Sequence, residues 1–160
     1  MSLAQFLETD RRWMKSALRQ AELAAEAEEV PVGAVVIHEN RIIGRGHNMV
    51  ESLRDPTAHA EMIAITAACE TLRSKHLKDC TLYVTLEPCP MCAGAMVAAR
   101  LGRLCFGALD DKAGSASTLY SIPQDPRLNH QVDVIGGVRA DQSALMLQDF
   151  FRARRLAAQN

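Results

Sequence analysis

The chain has no apolar run approaching the roughly 20 residues that a membrane-spanning helix needs. Its first residues, Met1 to Arg12, lack the apolar stretch of a secretory signal peptide. Both absences lead to the expectation of a cytoplasmic protein with no membrane partner. Five cysteines are an odd number, which argues against a disulfide framework. Cys69, Cys80 and Cys105 stand singly among apolar neighbours and are expected as small buried residues. Eighteen basic against nineteen acidic side chains give a net charge of −1, which excludes a broad electrostatic attraction to nucleic acid. A polyanionic partner would have to meet a local basic patch. No internal repeat, low-complexity tract or interdomain linker interrupts the sequence.

What is present suits one globular domain over residues 1–160. The chain is 48% hydrophobic and 23% charged. A chain of this size buries roughly 70% of the surface its unfolded form exposes. Apolar periodicity predicts a helix over Asp10–Glu28, with Trp13, Met14, Ala17, Leu18 and Ala21 on one stripe. Two strands follow, Val32–Ile37 and Arg41–Gly46, turned at His38–Asn40. A loop over Asn48–Thr57 precedes a helix over Ala58–Ser74. Thr81–Leu86 reads as a buried strand, Pro90–Arg100 as a short helix rich in alanine, and Leu104–Gly107 as another strand. The stretch Ala108–Asn129 is long for a compact domain and is a candidate binding loop, with a helical turn near Ser117–Ile122. A strand over Gln131–Ile135 and a helix over Ser143–Ala158 close the chain. Strands interleaved with crossover helices predict a sheet covered on both faces, an α/β three-layer sandwich.

Two short clusters carry the chemistry. His59-Ala60-Glu61 is followed some thirty residues later by Pro88-Cys89-Pro90-Met91-Cys92. Imidazole and thiolate are preferred zinc ligands, and a Cys-x-x-Cys spacing lets two sulfurs reach one tetrahedral ion. Three protein ligands leave a fourth position open for water, as catalytic zinc requires. Pro90 suits the first position of a helix. The predicted helix starts therefore bring two N-termini to the cluster, where their partial positive charge favours thiolates and anionic chemistry. Glu61 stands two residues from a ligand and can take and return protons. Two other arrangements compete. A structural zinc site would want a fourth cysteine or histidine at clear spacing, which His38, His47, His76 and His130 do not provide. A redox pair of cysteines would leave the His-x-Glu unexplained.

The His-x-Glu and Pro-Cys-x-x-Cys clusters resemble those of zinc deaminases acting on nucleobases, the cytidine-deaminase-like superfamily. Within it the chain resembles the bacterial tRNA-specific adenosine deaminases. The likeness runs through Glu29-Val30-Pro31-Val32-Gly33, Asp55-Pro56-Thr57-Ala58-His59-Ala60-Glu61 and Leu82-Tyr83-Val84-Thr85-Leu86-Glu87-Pro88-Cys89. It continues through Met91-Cys92-Ala93-Gly94, Phe106-Gly107-Ala108, Asp110, Lys112, Asn129-His130 and Phe150-Phe151-Arg152. The resemblance implies a homodimer of α/β/α subunits, each with a five-stranded mixed sheet and one Zn2+, that converts adenosine to inosine at the wobble position of a tRNA anticodon. It implies that His59, Cys89 and Cys92 bind zinc and that Glu61 shuttles protons. It further implies that Asn48 and the backbone at Ala60 contact the flipped base. Asp110, Lys112, Asn129, His130, Phe151 and Arg152 would then line the groove for the anticodon stem-loop. Departures from the family pattern fall outside the metal cluster: His47 in place of an aromatic residue, few glycines in Ala113–Ser117, and no lysine run after Arg155. The alternatives are a free-base or nucleoside deaminase acting on guanine or cytosine, and a catalytically silent zinc module.

Overall fold

The computed structural model describes residues 1–160. Helix α1 (Leu3–Glu26) begins at Leu3 rather than Asp10. Ser2 caps it: its hydroxyl accepts the Gln5 N–H, and the Gln5 side chain accepts the Ser2 N–H. Phe6 and Leu7 are exposed, so these first turns lack the buried stripe that marks the rest of the helix. Strands β1 (Gly33–His38) and β2 (Arg41–His47) form the expected hairpin. Glu39 and Asn40 at its turn both have positive φ, as a two-residue primed turn requires. A short helix, α2 (Val50–Leu53), occupies part of the expected loop.

Then come α3 (Ala60–Leu72), β3 (Cys80–Leu86), α4 (Pro90–Ala98) and β4 (Arg103–Ala108). The long connection after β4 holds only a 3-10 turn, Ile122–Gln124, slightly later than the helical turn predicted from sequence. Strand β5 (Asp133–Ile135) is shorter than predicted, and α5 (Ala140–Ala158) starts three residues earlier.

The sheet order is β2-β1-β3-β4-β5. β1 runs antiparallel to β2 and β3, while β3–β4 and β4–β5 are parallel, which makes the five-stranded sheet mixed. Alternate strand residues feed opposite faces. On one face Met14, Ala17 and Leu18 of α1 pack with Val35, Ile37, Tyr83 and Cys105. On the other, Ala64, Ile65 and Ala68 of α3 and Met96 of α4 pack with Val36, Leu82, Val84, Leu104 and Phe106. Helix α5 lies on the α1 face, where the Ser143 hydroxyl donates to the Thr85 carbonyl. This is the predicted three-layer sandwich. Burying each large core side chain contributes roughly 1.5–3 kcal/mol.

Two features fix the layers. A Cβ at Gly44 would stand 2.4 Å from the Ala64 carbonyl oxygen, and one at Gly46 would stand 2.2 Å from that of Ala60. The α3 backbone therefore lies directly on β2, which sets where α3 begins. On the opposite face Asp10 is 1% exposed and accepts two guanidinium bonds from Arg103, at 2.8 and 2.7 Å, and the Tyr83 hydroxyl at 2.8 Å. That triad ties α1 to the central strands.

Candidate active site

The two sequence clusters meet where β3 and β4 end. His59 is the N-cap of α3 and Cys89 the N-cap of α4. Neither side chain bonds to its own helix end, so both are free to face a common point. Pro90 occupies the first helical position and carries Cys92 into the first turn. His59 Nδ1 lies 3.5 Å from the Cys89 Sγ and 3.5 Å from the Cys92 Sγ. All three ligand atoms fall within 4.8 Å of one another. Tetrahedral zinc, with Zn–N of about 2.0–2.1 Å and Zn–S of about 2.3 Å, separates nitrogen from sulfur by about 3.5 Å. The trio therefore fits zinc as it stands.

Electrostatics agree with that fit. The Cys89 thiol is held down to about 4, first by its bond with Cys92 and then by His59. Cys92 is pushed upward by the same bond and by burial. One thiolate thus forms easily and opposes a second beside it. A divalent cation removes the conflict. Burial pushes the Glu61 carboxyl up to about 7, against the pull of its own backbone N–H and of His59. Such a value suits a group that both accepts and donates a proton near neutrality.

A cavity of about 210 Å³ opens beside this cluster. Val30, Val32, Leu86 and Ala113 supply apolar walls, and Asn48, Glu61 and Asp110 the polar ones. The Asn48 amide donates to the Val30 carbonyl at a long 3.4 Å. Its buried Oδ1 has no partner within the protein. A buried acceptor left unpaired is rare, and here it belongs to a residue that lines a space of ligand size.

A family model described as MafB19-like deaminase matches residues 8–155. The tRNA-specific adenosine deaminase of Bacillus subtilis is 47% identical over 146 residues, 91% of each chain. The chain belongs to the tRNA-specific adenosine deaminase family. The deaminase fold is matched by a structure solved in studies of A-to-I editing by tRNA:A34 deaminases, with a TM-score of 0.81 and 43% identity over 85% of this chain and 99% of that one. A Bacillus subtilis guanine deaminase matches less completely, with a TM-score of 0.57 and 40% identity over 68% and 66% of the two chains.

In this deaminase the residues singled out from sequence fall into three places. His59, Ala60, Glu61, Cys89, Asn48 and Asp110 line one cavity, and Cys92 adjoins it. Lys112, Phe151 and Arg152 line a second groove of about 450 Å³, with Leu147, Gln148 and Arg155. Phe150 is half-buried and Phe151 is 41% exposed, their rings edge to face at 5.3 Å. Asn129 and His130 do not join either place. The Asn129 carbonyl accepts from Arg100, and His130 Nε2 bonds the Leu101 carbonyl at 2.7 Å. Both therefore lie beyond the C-terminal end of α4, about 13 Å of helix away from Cys89.

Two acids went unmarked in the sequence. Glu29, 1% exposed, accepts the N–H groups of Glu51 and Ser52 and the Ser52 hydroxyl, and so caps α2 beside Asn48. Glu87, 2% exposed, holds the loop after β4. The available signal was an acid at the edge of an apolar segment, in Glu87 directly after β3.

Proposed function

We propose that the protein hydrolyses adenosine to inosine at the wobble position of a tRNA anticodon, with one Zn2+ per subunit held by His59, Cys89 and Cys92. The observation that carries this is the His59 nitrogen 3.5 Å from both thiols, with buried Glu61 in the same cavity. Zinc, when bound, supplies Lewis-acid activation of a water near neutral pH. Glu61 accepts a proton from that water and delivers it to the adenine N1. The water oxygen bonds to C6, the C6–N6 bond breaks, and Glu61 passes the second proton to the departing amine. One adenosine and one water give one inosine and one ammonia. Val30, Val32 and Leu86 enclose the base in apolar surface and exclude bulk water. The unpaired Asn48 oxygen accepts from a donor on the substrate, a base N–H or a ribose hydroxyl.

An RNA substrate is favoured by the second groove. Lys112, Arg152 and Arg155 bring three cations and no carboxylate to it, with exposed Phe151 beside them. This is the local basic patch that a chain of net charge −1 needs, with an aromatic face for stacking. A base in an anticodon loop is already partly unstacked, so turning it into a pocket costs little. Asp110, between cavity and groove, completes the proposed contact set; Asn129 and His130 lie at the far end of α4.

A homodimer is part of the proposal. Leu53 is exposed, and Met62, Ile63 and Ala67 on α3 are only half-buried. In α4 a Cβ at Gly94 would meet nothing within 4 Å. Glycine inside a helix costs about 0.5–1 kcal/mol relative to alanine. Close approach of a second chain gives that glycine a reason. No helix is long and apolar enough to cross a membrane. A tRNA substrate supports a cytoplasmic site of action.

The test pairs two substrates. Zinc-loaded protein is incubated with an anticodon stem-loop carrying a wobble adenosine and, separately, with free guanine and cytosine. Inosine in the stem-loop is expected. Ammonia from a free base with no inosine would select the competing free-base reading.

A further inference from the structure

Glu87 follows β3 directly and stands two residues before Cys89, yet none of the ion pairs includes it. A buried carboxylate without a cation is expensive unless its lone pairs are filled. Here they are. Oε1 accepts the Asp110 N–H at 3.1 Å and the Thr118 hydroxyl at 2.5 Å. Oε2 accepts the N–H groups of Ala116, Ser117 and Thr118 at 3.1, 2.8 and 2.9 Å. Two carboxylate oxygens offer about four lone-pair sites, so five donors saturate them. Glu87 touches the cavity but has no capacity left to move a proton.

The opposite side of the contact is equally specific. A Cβ at Gly114 would stand 2.4 Å from Oε1 of Glu87 and 2.5 Å from its Cδ. The loop therefore rests on the carboxylate through a residue with no side chain. The Ser115 N–H donates to the Pro88 carbonyl at 2.8 Å, and the Glu87 N–H to the Ala108 carbonyl at 2.8 Å. One short segment thus joins the turn that carries Cys89 to the loop that carries Asp110, Lys112 and Ala113. Asp110 and Ala113 line the cavity, and Lys112 lines the adjoining groove.

We propose that Glu87 is the positioning residue of the substrate wall. By gathering the amides of Asp110 and of Ala116 to Thr118, it fixes where Asp110, Lys112 and Ala113 stand relative to His59 and Glu61. It acts on substrate binding and takes no part in the chemical step. The kinetic part of the test rests on the deaminase function proposed above, whereas the amide-exchange part does not.

The experiment uses zinc-loaded protein and three variants: Glu87→Gln, Gly114→Ala and Thr118→Val. Glu87→Gln replaces one acceptor oxygen by a donor aimed at donors. It should speed hydrogen exchange at the amides of 116–118 by roughly 10-fold or more and raise KM for the stem-loop similarly, with kcat within about 3-fold and zinc content unchanged. Gly114→Ala presses the loop off from outside and should give the same pattern. Thr118→Val removes a single donor, keeps the fold, and should move both readouts in the same direction by less. Unchanged exchange in Glu87→Gln and Thr118→Val would overturn the proposal. So would a fall in kcat at unchanged KM, or loss of zinc from all three variants. If even the parent protein leaves the stem-loop untouched, the substrate assignment fails, and the exchange measurement still decides the role of Glu87.

Discussion

Replacing Asn48 by alanine should change stability and activity in opposite directions. Its Oδ1 is buried without a protein partner, and its only side-chain bond, to the Val30 carbonyl, is 3.4 Å long. That length is at the margin of a useful hydrogen bond. The bond from the Asn48 N–H to the Val32 carbonyl, at 3.1 Å, belongs to the backbone and survives the change. An unpaired buried acceptor costs about 1–3 kcal/mol, so deleting it removes a cost from the free protein. The side chain borders an open cavity, so truncation leaves no sealed void. At about 2–4 °C per kcal/mol in a protein of this size, the Tm of Asn48→Ala should therefore stay level or rise, by up to roughly 12 °C. In the proposed substrate complex the same oxygen gains its partner. Losing it should lower kcat/KM by about 5- to 150-fold. Differential scanning calorimetry and steady-state kinetics on one preparation give both numbers. A Tm several degrees lower, with activity falling only as the folded fraction falls, would show Asn48 to be a turn-stabilising residue and refute the reasoning.

Three further perturbations follow from particular contacts. Glu61→Gln should keep its metal and lose turnover by roughly 10²–10⁴-fold, the usual worth of a positioned acid–base group; metal analysis showing an empty site would make Glu61 a structural support instead. Burial pushes the Glu29 carboxyl up, but the Ser52 hydroxyl and the Glu51 and Ser52 amides outweigh it and leave it below the ordinary 4.5. A folded-state value below the unfolded one means that Glu29 stabilises the protein fully above about pH 4.5 and loses that contribution as pH falls through its lowered value. Glu29→Gln should flatten this acid limb in urea titrations, and an identical slope in variant and parent would contradict the assignment. Arg103→Met leaves Asp10 buried with Tyr83 alone and should cost about 3–5 kcal/mol in denaturant unfolding, largely recovered when Asp10 is also made apolar. A cost below about 1 kcal/mol would mean that the pair behaves like an exposed one.

The proposed zinc ligands were legible because zinc accepts few residue types and the spacing within each cluster is short. The inner strands were legible because a sheet covered on both faces leaves continuous apolar runs, as in Ala34–Ile37 and Leu82–Val84. The first turns of α1 were missed because Phe6 and Leu7 are exposed there, although Ser2 and Gln5 carry a capping signal. Glu29 and Glu87 stand in the sequence within the family-like segments, but nothing there assigns them a role. Their partners stand 22 to 31 residues downstream, in loops whose path only tertiary structure determines. The same cause separates Asn129 and His130 from the groove: the course of the chain after β4 is not written in local periodicity.

The proposed zinc ligands sit at helix starts seated on the sheet, whereas Asp110 and Ala113 of the cavity wall sit on a loop tethered by one acid, Glu87. This division makes the protein evolvable in a particular way. Lengthening or rewriting a surface loop costs little conformational entropy, while moving a helix seated on a sheet disturbs the whole core. Between Ala108 and Asn129 the exposed side chains can therefore drift without loss of hydrolytic power, while Gly114, Ser115 and Ala116 stay buried beside Glu87. A change of preferred base is then a matter of re-tailoring one loop around a centre that stays in place.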